Sequence, residues 1–413
     1  MTAERSELRR RDAIVVWAAL ALCMGVGPLM LYTLTAVSPL VIDELGLSDV
    51  QYGAISTITF ASAAVGAYCL GGPSNRLSAR RVMLGIAFGA GVGSVLLAVA
   101  QNYLIVIVAA VVSGIAQSLS NPATNRVAAT APARRRGALI GWKQSGVQLA
   151  QLVAGLVAPA VAVAAGWRWA AASGAMIALL AGVTAILVPN RTPSKTADPA
   201  ARDGEHVSVA TLTVFTFFMS FGLMTTNAYL PLFAHRELGF SVTVAGLTAA
   251  VVGTVGVASR IVAARDSGRG GLRRLTLFVL GGGAALGVGF VMAAQAAGGW
   301  LVWVGAAVFG VAALASNAVT MVALVRSVPG DRLSAATGSL VTGMYIGFAT
   351  GPLVFGFVLN HGARFGLAWL LPLGSFLIAA LVGLIRTRAR AAGPRRDSIA
   401  PRRTTERNLH AHS

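Results

Sequence analysis

The sequence predicts an all-α integral membrane protein with twelve transmembrane helices in two similar six-helix bundles. Three observations carry that prediction. The 413 residues are 56% hydrophobic and only 11% charged, with a mean hydropathy of +0.73, whereas soluble domains hold about 25% charged residues. Apolar runs long enough to cross hydrocarbon about 30 Å thick, which takes ~20 residues each, recur along the whole chain. The second half also repeats the first.

The spans are placed at 13–41, 51–72, 82–100, 103–127, 137–162, 169–188, 208–233, 243–264, 275–295, 299–324, 335–359 and 366–386. Pro73, Gln101–Asn102, Pro132 and Gly166–Trp167 separate neighbouring runs, because such residues break or end apolar helices. Residues 1–12 are a short basic leader to the first span, with Arg5, Arg9, Arg10 and Arg11. An acidic loop (Asp43, Glu44) follows that span with no small-residue cleavage site, so it reads as a retained helix. Residues 189–207 form a polar linker between bundles 13–188 and 208–386. Residues 387–413 carry many charges and no apolar run, the composition of a disordered tail.

The formal charge of +19 brings nucleic acid to mind, but the basic residues sit in short segments between apolar runs, without interleaved aromatics. Alternate loops hold Arg76, Arg80 and Arg81, then Arg134–Arg136, then Arg191, Lys195 and Arg202, then Arg265, Arg269, Arg273 and Arg274, then Arg332 and the tail. Of 33 Lys and Arg, only Arg168, Arg236 and Arg364 fall on the other side. Arginine and lysine resist translocation, so the first side is expected to be cytoplasmic, with both termini inside and an even number of spans.

The internal repeat is ordered. Glu44-Leu-Gly-Leu-Ser48 returns as Glu237-Leu-Gly-Phe-Ser241, 193 positions on, and at that offset Gly53 meets Gly246, Arg76 meets Arg269, and Arg80–Arg81 meet Arg273–Arg274. Gly114, Ala116, Ser120, Asn121 and Thr124 match Gly310, Ala312, Ser316, Asn317 and Thr320 at 196. Gly141 and Gly146 match Gly338 and Gly343 at 197. Internal duplication is frequent in secondary transporters, where the solute site lies between the repeats. Both halves keep one charge orientation, so the repeat is parallel.

With these features the chain resembles the major facilitator superfamily (MFS) over nearly its whole length, which implies the MFS fold. The segment Gly71-Gly-Pro-Ser-Asn-Arg-Leu-Ser-Ala-Arg-Arg81 is similar to the family's Gly-x-x-x-Asp-Arg-x-Gly-Arg-Arg motif between spans 2 and 3. Gly71, Arg76 and Arg80 match, while Asn75 replaces the acid. The resemblance implies a gating loop that latches the two halves, weakened here by the loss of charge at Asn75 and mirrored in part by Asp266 with Arg269. The plainer reading is that these arginines only set topology. Asn121-Pro-Ala-Thr-Asn-Arg126, Lys143-Gln-Ser-Gly146 and Gly166-Trp-Arg168 also resemble bacterial members, and Gly146, Gly155 and Pro159 match part of an exchanger glycine pattern.

Polar side chains in hydrocarbon are costly and usually face a bundle interior or a wet cavity. Span 4 carries Gln117, Asn121 and Asn125 on one stripe, and span 5 carries Gln144, Gln148 and Gln151 on another. Asn317 and Thr320, Thr226 and Asn227, and Tyr32 and Thr35 add polar groups in spans 10, 7 and 1, helices that line the central cavity in the family. The bland alternative is hydrogen bonding between helices, worth ~0.6 kcal/mol per contact. The cations within spans, Arg126, Lys143 and Arg260, are all within snorkelling reach of the headgroups. That is the expectation for Arg126, while Lys143 lies ~100° off the glutamine stripe. Arg260 is the better site candidate. Gly256-x-x-x-Arg260 before Asp266 is similar to monocarboxylate-type members of the superfamily, which implies an arginine that pairs with a substrate carboxylate, a task its forked guanidinium suits. The substrate-binding candidates are thus Arg260, Gln117, Asn121, Gln144, Gln148, Gln151, Asn227, Asn317 and Tyr32.

No acid lies at mid-membrane and no histidine within a span. That weighs against a cation exchanger, which wants a buried carboxylate, and towards an anionic or neutral solute; Asp43, Glu44 or the solute itself remain as proton carriers. Cys23 and Cys69 read as packing residues. The chain shows no metal spacing, Walker-type loop or nucleophile elbow, so neither an enzyme nor a bound cofactor is expected. The expectation is a secondary transporter of a small organic anion, working as a single chain in the plasma membrane. A multidrug or neutral-metabolite exporter is the alternative, and a non-transporting sensor the remote one.

Overall fold

The computed structural model describes residues 2–131, 133–188, 208–266, 276–328 and 330–391. The expected linker 189–207 lies outside them, as do Arg269 and the tail beyond Ala391. Among the described residues, twelve helices are long and apolar enough to cross a membrane. They are span 1 (Ala13–Ala36), span 2 (Asp49–Ser74), span 3 (Ala79–Ala98), span 4 (Tyr103–Ala129), span 5 (Ala138–Ala165) and span 6 (Trp167–Leu187). The second half adds span 7 (Val209–Arg236), span 8 (Val242–Arg260), span 9 (Thr276–Ala297), span 10 (Leu301–Val325), span 11 (Ala335–Asn360) and span 12 (Phe365–Leu384). Each lies within a few residues of its expected position.

Two expectations need correction. Span 1 stops at Ala36, not near residue 41, and a separate two-turn helix follows at Ser38–Leu45. Pro39 causes the break: it has no N–H to continue the ladder to Thr35, and it sits instead in the first turn of the next helix, behind Val37, where that N–H is not needed. Span 4 is interrupted at Leu119. Pro122 cannot donate back to the Ser118 carbonyl, so the helix bends there, in a stretch that carries Gln117, Ser120 and Asn121.

The repeated Glu-Leu-Gly motif is a helix stop followed by a helix start. Gly46 and Gly239 both take left-handed backbone, φ 60° and 69°, which glycine adopts without steric penalty. Ser48 then caps span 2, its hydroxyl accepting from the Gln51 N–H at 3.2 Å while the Gln51 side chain accepts from the Ser48 N–H at 2.9 Å. Ser241 caps the start of span 8 in the same way, through the Val244 N–H. Such caps satisfy backbone donors that the first helical turn leaves unpaired.

At the same end, the Gly166-Trp-Arg168 segment ties three connections of the first half together. The Trp167 indole and the Arg168 guanidinium both donate to the Glu44 carboxylate, and Arg168 also donates to the Ala100 carbonyl at 3.0 Å. These donors, Arg168 first and then Trp167, hold the Glu44 carboxyl below its ordinary range.

Helices in lipid gain little from hydrophobic burial against each other, so close packing at small residues holds them. A Cβ at Gly146 would collide with the Ala21 carbonyl, and one at Gly25 would come 2.5 Å from the Gly146 carbonyl. Spans 1 and 5 therefore touch backbone to backbone. Gly343, Gly347 and Gly351 play the same part between spans 11 and 7.

The two halves meet at two equivalent crossings. Gly53 of span 2 packs on Pro352 and Tyr229, and Gly246 of span 8 packs on Pro159 and Ala36. All three pairs (Gly53 and Gly246, Pro352 and Pro159, Tyr229 and Ala36) are separated by 193 positions.

These contacts make a clear prediction. Gly146→Val should destabilise the protein by roughly 1–3 kcal/mol, the usual range for overpacking, seen as a lower melting midpoint in detergent. Gly282→Ala, with open space around its Cβ position, should leave the midpoint unchanged.

Candidate functional site

Between the halves lies a cavity of about 980 Å³, its open mouth included. Span 1 contributes Met24, Pro28 and Tyr32, span 4 Gln117, Ser120 and Asn121, and span 5 Gln144, Val147 and Gln148. From the second half come Asn227 of span 7, Arg260 of span 8, and Asn317 and Thr320 of span 10. All the substrate-binding candidates named from sequence line it except Gln151. That side chain, 2% exposed, reaches across to span 7, where its Nε2 donates to Asn227 Oδ1 at 3.2 Å.

The polar atoms have a direction. Asn121 Oδ1 accepts from Lys143 Nζ at 3.1 Å and from Gln144 Nε2 at 3.2 Å. Asn227 Oδ1 is engaged by Gln151. Each amide therefore keeps its nitrogen, a donor, for the cavity. Gln117 Nε2 and Arg260 Nε are buried without a partner, and Arg260 Nη1 donates to the Gln144 backbone carbonyl at 2.7 Å. Gln148 Oε1, an acceptor, is likewise buried without a partner. Among the described residues, no Asp or Glu lines the cavity.

Of the cations, Lys143, within snorkelling reach by sequence, is 1% exposed. It lies one helical step from the glutamine stripe, which turns it away from the cavity and into the packing between spans 4 and 5. There its Nζ bonds Asn121 and, also at 3.1 Å, Thr124 Oγ1. Arg126 stays near its span end, donating to the Ser74 and Leu77 carbonyls at 3.1 and 2.9 Å. It thereby closes the last turn of span 2.

Sequence reasoning missed the apolar wall. Span 7 presents Thr216, Met219, Ser220, Leu223, Met224 and Asn227, and Phe60, Met344, Tyr345 and Phe348 face them from spans 2 and 11. The span 7 residues recur at helical spacing, a signal present in the sequence. Such a stripe reads equally as ordinary core.

One end of the molecule is shut. Arg236 pairs with Asp49 at 2.8 Å, Tyr229 donates to the Asp49 carbonyl at 3.0 Å and the Pro352 carbonyl at 3.2 Å, and Tyr52 donates to the Ala228 carbonyl at 2.7 Å. All of these bonds lie on the Gly53 crossing. At the Gly246 crossing, the counterparts of Asp49, Arg236 and Tyr229 are Val242, Asp43 and Ala36, and no described side-chain hydrogen bond joins the halves there.

At the arginine-rich end spans 2 and 11 stand open, while spans 5 and 8 stay joined through Arg260 and the Gln144 carbonyl. Tyr68 is 90% exposed, and Gly71, Gly72 and Gly338 have no neighbour within 4 Å of a Cβ position. Of the gating-loop candidates, Asn75 ends span 2, its N–H bonded to the Gly72 and Pro73 carbonyls. Arg76 and Arg80 make no described ion pair. Asp266 ends the span 8 helix, and Arg269 falls outside the described residues.

Two six-span bundles around a central cavity, closed at one end and open at the other, are the build of a membrane transporter. Residues 20–317 match the profile of the Major Facilitator Superfamily, and the chain belongs to that family. No curated protein sequence matches it.

Among solved structures, a D-xylose–proton symporter matches at TM-score 0.71 and 20% identity, covering 90% of this chain and 96% of the other. A bacterial homologue of the human lysosomal transporter Spinster, in an inward-facing and occupied conformation, matches at 0.67 and 16%, covering 92% and 95%. The nucleoside transporter NupG, as a mutant, matches at 0.69 and 15%, covering 90% and 98%. At these identities the likeness is one of fold.

The shut end can be tested with a single cysteine at Asn227 in a background without Cys23 and Cys69. Arg236→Ala should raise its labelling by a membrane-impermeant maleimide from that end several-fold. An unchanged rate would mean that the tyrosine bonds alone keep that end shut.

Proposed function

We propose that this chain is a secondary active transporter that moves a small organic anion by alternating access. In this reading the arginine-rich end faces the cytoplasm, both termini are cytoplasmic, the membrane is the plasma membrane, and one chain is the transport unit. The observation that carries it is Arg260, a fixed cation on the wall of a cavity without a single carboxylate. A guanidinium donates two parallel bonds to a carboxylate, and Arg260 Nε has no partner of its own.

The remaining wall fits the rest of such a solute. The amide nitrogens of Asn121, Asn227 and Gln117 are donors, which suit further oxygen atoms. Phe60, Tyr345, Phe348 and the methionines provide an apolar surface for a hydrocarbon body. A cavity that opens towards the arginine-rich end accords with an inward-facing state, the state in which the Spinster homologue was solved. The gating-loop residues Gly71, Asn75, Arg76, Arg80, Asp266 and Arg269 are proposed to come together when that end closes. One observation favours a second reading, multidrug efflux: Met24, Met219, Met224 and Met344 line the same cavity, and methionine-rich surfaces re-pack around varied ligands.

Flux into vesicles that contain the purified protein separates the two. Losing charge-assisted hydrogen bonds costs about 1.5–3 kcal/mol, so Arg260→Ala should lower carboxylate uptake roughly ten- to hundredfold. Arg260→Lys should restore part of it. Unchanged carboxylate uptake by folded Arg260→Ala, together with transport of lipophilic cations, would favour the efflux reading.

A further inference from the structure

We propose that Lys143 is a positioning residue of the solute site, fixing the Asn121 amide as a donor that selects carboxylates bearing a second oxygen acceptor. The inference rests on the organic-anion reading above. It begins from an energetic anomaly. An ammonium group away from water costs several kcal/mol unless paired, yet Lys143 meets no acid: its described partners are Asn121 Oδ1 and Thr124 Oγ1, both neutral. As packing alone, a methionine of similar length would fill this place without that cost.

What the lysine does differently is impose direction. An ammonium has three donors and no acceptor, so it holds the carbonyl oxygen of Asn121 and never its nitrogen. Thr124 cannot substitute as an anchor, because its own hydroxyl hydrogen goes to the Ser120 carbonyl at 2.6 Å. The Gln144 amide nitrogen adds a second donor to the same Asn121 oxygen. With two donors behind it, the amide cannot flip, and its NH₂ group stays towards the cavity.

Without the lysine, Asn121 could present either end, and one face of the cavity would lose its chemical sign. Arg260 stands close by, since it bonds the backbone carbonyl of the same Gln144 whose side chain bonds Asn121. One small solute can therefore place a carboxylate on the guanidinium and another oxygen on the amide.

The test uses three probes with one five-carbon skeleton: pentanoate, 4-oxopentanoate and glutarate. Uptake into vesicles should favour the last two over pentanoate in the wild-type protein. Lys143→Gln should cut that preference about tenfold while leaving pentanoate uptake within about threefold, and Lys143→Arg, which keeps donors for Asn121, should retain it. Asn121→Leu should also remove the preference, and the double variant Lys143→Gln with Asn121→Leu should lose no more than either alone, since one residue acts through the other. A wild-type preference in folded Lys143→Gln, or additive losses in the double variant, would overturn the proposal. If Lys143→Gln does not fold, the comparison of Lys143→Arg with Asn121→Leu decides, and equal preferences in the two overturn it. Absence of any carboxylate uptake by the wild-type protein removes the organic-anion reading and this inference together.

Discussion

The whole architecture depends on backbone-to-backbone contact between helices at glycine. Side chains in lipid gain little by leaving hydrocarbon for other hydrocarbon, so the helices are held where their surfaces approach most closely. Gly25 and Gly146 bring spans 1 and 5 together, and Gly53 and Gly246 bring the halves together at two related crossings. Spans 5 and 8 keep close contact through Gly155, Gly253 and Gly256 towards the arginine-rich end, and the cavity lies beside them.

The cavity gains its chemical character from helices that carry polar groups on one stripe and from the hydrogen bonds behind them. Gln151 and Lys143 do not stand on the wall. They hold the oxygens of Asn227 and Asn121, and the nitrogens are left for the interior. With one guanidinium and, among the described residues, no carboxylate, the wall carries positive charge only.

Much of this was legible in the sequence. The spans follow from length and hydropathy, and the repeat was visible in Glu44–Ser48 and Glu237–Ser241, whose glycines and serines turn out to be matched turns and caps. The polar stripes on spans 4 and 5 were found because 3.6-residue spacing puts Gln117 with Asn121 and Gln144 with Gln148. Lys143 escaped because spacing gives an angle around one helix but not what packs behind it. The break at Pro39 was readable, yet the apolar run continues through it and hid it. The methionine and aromatic wall was invisible for a different reason: an apolar residue facing a cavity and one facing a neighbour carry the same signal.

The shut end is built unevenly. One crossing carries an ion pair and the hydrogen bonds of two tyrosines, while at its duplicate the described side chains meet by van der Waals contact. Polar bonds are directional and break over a fraction of an ångström, whereas a glycine pressed against proline can roll without losing contact. Duplication has in this way left a bonded seam on one side and a bare contact on the other. Were the halves to part at that end, the seam at spans 2 and 7 would have directional bonds to lose, and the Gly246 contact none among the described residues.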